Sequence, residues 1–148
     1  MEDSCMAEVE LVLRIGISSV ALTASITDWR ARRIPNALTL PAIGVVGLIR
    51  WVQGRGESAL AGAAVAILVF LLPALLMGPE RAGAGDLKLG IALGLTSGFP
   101  RIIDLLLIAF GLTALAGGIL WVLRRLPPDR TLPMGPGLAI GTLWVLWG

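Results

Sequence analysis

Gly83-Ala84-Gly85-Asp86-Leu87-Lys88-Leu89-Gly90 sets an acid and a base among glycines at the start of an apolar run. Burying a carboxylate in a bilayer is costly, so an acid in such a place is a candidate functional group by default. Glycines beside it let backbones approach closely, and that closeness keeps lipid away from the acid. The reading of the chain turns on whether a second acid meets Asp86.

The chain around this stretch is built for lipid. Of 148 residues, 56% are hydrophobic and only 15% charged, and the mean hydropathy is +0.86. A soluble domain carries about a quarter charged residues. Apolar runs recur along the whole length, which predicts a polytopic all-α membrane protein. The alternating ten-residue segments of a membrane β-barrel are not visible. We read a single domain over residues 1–148.

The side-chain inventory narrows the chemistry. There is no histidine and no tyrosine, and Cys5 is the single cysteine. That removes Ser-His-Asp and Cys-His triads, histidine metal sites and CxxC pairs. Acid–base work falls to Asp, Glu, Lys or water, with no metal or cofactor expected. No nucleic-acid partner is expected either.

Six apolar segments are predicted, near residues 11–26, 36–51, 59–76, 86–98, 102–123 and 132–147. The fourth and sixth are short for a span of about 20 residues. The N-terminal tip holds Glu2, Asp3, Glu8 and Glu10 and no base, unlike a secretory signal peptide. Pro35 sits where a proline opens a helix without losing a hydrogen bond. Arg30, Arg32, Arg33, Arg81, Lys88, Arg124, Arg125 and Arg130 fall in one set of connections, and only Arg50, Arg55 and Arg101 in the other. The positive-inside rule then puts the first set in the cytoplasm and both termini outside. The tryptophans agree, with Trp29 and Trp121 at the inner boundary and Trp51, Trp144 and Trp147 at the outer one.

In that topology the first segment descends to Asp28 and the fourth ascends from Asp86, so both carboxylates reach the cytoplasmic boundary. Asp86, Gly90, Gly94 and Gly98 form one stripe at four-residue spacing, a close-packing face. Asp28 shares its face with Ser18, Ala21, Ala24 and Ser25. Docking of these two faces would bring the acids together. The same pattern also suits glycines that only pack helices and acids that only cap them. Two close aspartates share one proton. The ionised member then takes a proton from water while the protonated member polarises a peptide carbonyl.

These residues carry a family resemblance. Gly83-Ala84-Gly85-Asp86-Leu87-Lys88 resembles the GxGDxK motif of the type IV prepilin peptidases, membrane aspartic proteases of pilus biogenesis. Asp28 with Ile34-Pro35-Asn36 and Leu38-Thr39-Leu40-Pro41 resembles their first-aspartate segment. Met134-Gly135-Pro136-Gly137-Leu138-Ala139-Ile140-Gly141 is similar to their last-helix proline–glycine motif. The resemblance covers nearly the whole chain in order.

It implies a catalytic pair, Asp28 and Asp86, with Gly83, Gly85, Lys88, Pro35, Asn36, Gly135 and Pro136 in substrate-binding or supporting roles. It also implies a bacterial or archaeal cytoplasmic membrane and cleavage of a prepilin leader after a glycine at the cytoplasmic face. Longer members carry a cysteine-rich insertion and methylate the new amino terminus. Residues 30–36 are short and free of cysteine, which resembles the peptidase-only members of Flp-type (tight-adherence) pili.

Other acids are weaker partners for Asp86. Asp104 follows Arg101 by three residues, which predicts a local ion pair at a helix start. Glu80 and Asp129 read as turn residues. Lys88 has three readings: a substrate acid, the acid pair or a lipid headgroup. A small transporter or ion-pathway protein is the alternative function, and a non-catalytic scaffold of a secretion complex is a third. A transporter is expected to keep its binding groups nearer mid-membrane.

Overall fold

The computed structural model describes residues 2–31, 36–77, 84–123 and 134–148. It contains six helices: α1 (Glu2–Ala31), α2 (Asn36–Val52), α3 (Gly56–Met77), α4 (Ala84–Ser97), α5 (Arg101–Val122) and α6 (Gly135–Trp147). No strand occurs among the described residues. Met6–Arg30 and Arg101–Val122 are long and apolar enough to cross a membrane. Asn36–Val52, Gly56–Leu72 and Gly135–Trp147 are shorter apolar helices.

The boundaries differ from expectation at three helices. No breaker separates the acidic tip from the first apolar run, so α1 starts at Glu2 and runs on through Asp28. The fourth helix starts at Ala84, which puts Asp86 in its first turn. The sixth starts at Gly135, immediately before Pro136, where the missing N–H of proline has no helical partner to lose.

The surface is that of a protein in lipid. Val45, Leu48, Leu68, Leu75, Leu107 and Leu115 are large, apolar and exposed, and a water-facing surface does not carry so much of this. Several hydroxyls are satisfied inside their own helices, as hydrocarbon favours, while the buried Thr39 hydroxyl has no partner among the described residues. Thr23, Thr96 and Thr142 each donate to the carbonyl four residues earlier at 2.7–2.8 Å.

Helix α4 is the centre, touching all five other helices. Leu89, Gly90, Ala92, Leu93, Gly94, Leu95 and Thr96 are all buried in it. At 14 residues it rises ~21 Å, short of the ~30 Å hydrocarbon core. Its surroundings are protein on most sides, so its length does not have to match the bilayer.

The glycine stripe of α4 packs against α3, not against α1 as the sequence suggested. A Cβ on Gly94 would lie 2.5 Å from the Gly62 carbonyl oxygen, and one on Gly90 would lie 2.6 Å from the Phe70 ring. Gly98, at φ +67°, closes α4 where the Ser58 hydroxyl of α3 donates to the Phe99 carbonyl at 3.0 Å. The small face of α1 meets α6 instead, with Gly135 over Ser25 and Asp28. Periodicity marks a face as close-packing, but it does not name the partner.

Candidate active site

The helix directions put four helix ends around the acids. Asp28 lies in the last turn of α1, and the N-termini of α2, α4 and α6 gather beside it. Each N-terminus carries unsatisfied N–H groups and about half a positive charge, a setting that favours carboxylates. Asp86 occupies the first turn of α4. Asp28 serves α6 in a different way: the Gly135 N–H donates to Asp28 Oδ2 at 2.9 Å.

Both aspartates are half-buried. The small faces of α1 and α4 do not dock on one another, yet the acids share one end of the bundle. What brings them together is helix direction, with α1 ending where α4 begins.

Gly135 is fixed by contact. A Cβ there would stand 3.0 Å from Asp28 Cβ, from Asp28 Oδ2 and from the Ser25 Cα. Only a residue without a side chain lets the α6 amide reach the carboxylate without displacing α1. Pro136 follows at the helix start. One residue further, a Cβ on Gly137 would lie 2.6 Å from the Ala109 carbonyl of α5. The proline–glycine motif thus wedges α6 between α5 and Asp28.

Lys88 has a partner that none of its three readings anticipated. Its Nζ donates to Asn36 Oδ1 at 2.7 Å, joining the first residue of α2 to the start of the second turn of α4. The bond links two motifs far apart in sequence and lies on the exposed side of the end that holds the acids. Gly85 is helical and half-buried beside Asp86. Pro35, Gly83, Glu80, Asp129 and the cations Arg32, Arg33, Arg81, Arg124, Arg125 and Arg130 lie outside the described residues. Arg101 and Asp104 form no ion pair among the described residues.

One polar cluster was missed by the sequence reading. At the opposite end Arg50, almost fully buried, donates to Glu10 Oε2 at 2.7 Å and also to the Thr96 carbonyl. Arg14 reaches the Leu146 carbonyl at 2.7 Å. These arginines satisfy the free carbonyls at the C-termini of α4 and α6, where a cation is favoured. The signal in the sequence was Glu10 and Arg14, one turn apart, opposite an arginine in the last turn of α2.

Comparison with known proteins places the chain in a family. Residues 15–122 match the Type IV leader peptidase family. A protein of Xanthomonas campestris pv. campestris named prepilin leader peptidase/N-methyltransferase is 36% identical over 143 residues, covering 90% of this chain and 49% of its own length. A protein of the same name from Pseudomonas putida is 32% identical, covering 96% of this chain and 52% of its own. One from Dickeya chrysanthemi is 35% identical, covering 82% and 44%. The chain therefore spans about half the length of the curated relatives it matches. No solved structure gives a significant match. The matched region includes both aspartates and five of the six helices, wholly or in large part; the chain belongs to the type IV leader peptidase family.

Proposed function

We propose that this chain is a membrane aspartic endopeptidase that removes the leader of a prepilin-like substrate, with Asp28 and Asp86 as the catalytic pair. The observation that carries this reading is two half-buried carboxylates at one end of an apolar bundle, one in the last turn of α1 and the other in the first turn of α4. A pair of carboxylates close to one another holds a single proton between them. The ionised member accepts a proton from water, and the water oxygen attacks the scissile carbonyl carbon. The protonated member donates to the carbonyl oxygen as it gains charge, and a proton then passes to the leaving amine as the C–N bond breaks.

The surroundings suit that chemistry. The Gly135 N–H fixes one oxygen of Asp28 and leaves the other for water or substrate. Three helix N-termini offset the repulsion between two acids at close range. The exposed Lys88–Asn36 bridge stands beside the pair and is an edge that a substrate strand entering from the aqueous side has to pass.

The relatives' names couple leader cleavage with N-methylation. We assign this chain the peptidase step alone, because residues 30–36 are a short connection without cysteine. The positive-inside distribution supports a multi-pass protein of the cytoplasmic membrane with the acid pair at the cytoplasmic face. A transporter reading fits less well, since its binding groups belong near mid-bundle and not at one end.

The test is incubation of the purified chain in detergent with a synthetic prepilin segment, followed by mass spectrometry. A single cut after the leader glycine, with an unmethylated new amino terminus, is the expected product. No cleavage, with cation-dependent uptake in vesicles, points to the ion-pathway alternative.

A further inference from the structure

The end of the bundle opposite the aspartates carries an arginine cleft that the peptidase reading does not use. A cavity of about 350 Å³ opens there, and its lining includes Arg14, Arg50, Arg55 and Arg101 but a single carboxylate, Glu10. Glu10 is shared by three of the four: Arg50 at 2.7 Å, Arg14 at 3.4 Å and Arg55 at 3.6 Å. Four guanidinium charges against one carboxylate leave the lining strongly positive.

Two of these arginines have structural work and two do not. Arg14 and Arg50 cap helix C-termini through Leu146 and Thr96. Arg55 precedes the first residue of α3, and Arg101 is the first residue of α5. A helix N-terminus disfavours a cation, so neither position is explained by the local backbone. Arg55 keeps only the long, exposed contact with Glu10. Arg101 has no carboxylate within 4.0 Å among the described residues, and neither Glu57 nor Asp104 pairs with either arginine. An anion seated between Arg55 and Arg101 would meet two guanidinium forks and the positive ends of two helices.

The level of the cleft says what anion that is. Trp51, Phe99, Trp144 and Trp147 are exposed around this end, and aromatic side chains collect at the headgroup level of a bilayer. An adjoining cavity of about 620 Å³ shares Arg14 and Arg101; Leu107, Trp144 and Trp147 form its apolar wall, and Asp104 is the one acidic side chain in its lining. A polar cleft at headgroup depth continuing into an apolar wall matches a phosphate with an acyl chain attached.

We propose that this cleft binds the headgroup phosphate of an anionic phospholipid, with Arg55 and Arg101 as its principal contacts. The proposal is independent of the peptidase reading, because it concerns the other end of the bundle. The test is native mass spectrometry of the full chain exchanged into bilayers of equimolar phosphatidylglycerol and phosphatidylcholine. The wild type is expected to retain phosphatidylglycerol selectively. The R55A/R101A double variant, altered only at exposed side chains, is expected to lose roughly tenfold or more of that retention with an unchanged melting profile. Equal retention of both lipids, or retention unaffected by the double substitution, overturns the proposal. Complete displacement by millimolar inorganic phosphate also overturns it, in favour of a soluble anion.

Discussion

The backbone amide of Gly135 donates to Asp28 Oδ2 at 2.9 Å, across 107 positions of chain. The bond ties the start of the last helix to the end of the first, so the geometry of the proposed catalytic acid depends on a residue with no chemistry of its own. A Cβ at this position has 3.0 Å to the nearest atoms of Asp28 and Ser25. Gly135→Ala is therefore expected to push α6 off Asp28, costing about 1–3 kcal/mol in overpacking. Cleavage should fall by tenfold or more per folded molecule. Initial rates normalised to folded protein check this, and an unchanged rate would uncouple Gly135 from the acid.

The α3–α4 contact predicts a graded series. At Gly94 the added methyl meets the backbone of Gly62 and Ala63, whereas at Gly90 it meets the Phe70 side chain. A ring can turn aside and a backbone cannot. Gly94→Ala should lower the melting temperature well beyond Gly90→Ala. Gly118→Ala, with nothing within 4 Å, should be neutral or gain a few tenths of a kcal/mol, up to about 1 kcal/mol, in helix propensity. Melting of the three variants in one detergent orders them.

The Glu10–Arg50 pair should matter for folding and not for chemistry. Breaking a wholly buried pair costs about 3–5 kcal/mol. Glu10 retains some exposure, with 20% of its side-chain surface open, so Arg50→Ala is expected near ~2–3 kcal/mol on the same scale. The folded fraction should still cleave at close to the wild-type rate, because the pair sits at the far end from Asp28 and Asp86. Unfolding midpoints and specific activity, measured on one preparation, separate the two effects.

Lys88 and Asn36 should behave as one unit. Their bond is exposed, so its net contribution is about 0.5–1.5 kcal/mol. Lys88→Ala and Asn36→Ala are expected to have similar effects on the rate, and the double variant should add little to either. A double-mutant cycle on cleavage reads the coupling directly. Full additivity would mean that each side chain meets the substrate separately.

Much of this arrangement can be read from the chain itself, and the limits have physical causes. Long apolar runs broken by Pro35, Gly54, Pro79, Pro100 and Pro127 announce six helices, because span length and breakers act locally. The common end of Asp28 and Asp86 follows from alternating helix direction. The partner of the glycine stripe does not follow: Gly90, Gly94 and Gly98 advertise a close approach that α1 and α3 answer equally well on paper, and only packing chooses α3. The Gly135 bond to Asp28 and the burial of Arg50 are likewise contacts between distant segments, invisible to any local window. Lys88 shows the same limit, since its partner Asn36 comes from another helix.

The central claim is that Asp28 and Asp86 act as one catalytic pair. Cleavage of the prepilin segment by wild type, Asp28→Asn and Asp86→Asn, each verified as folded by its melting profile, tests it most directly. Asparagine keeps the shape and can accept a hydrogen bond from the Gly135 amide, but it cannot carry the shared proton. Both substitutions are expected to lower the rate by at least about a hundredfold. A rate near wild type in either variant would contradict the pair.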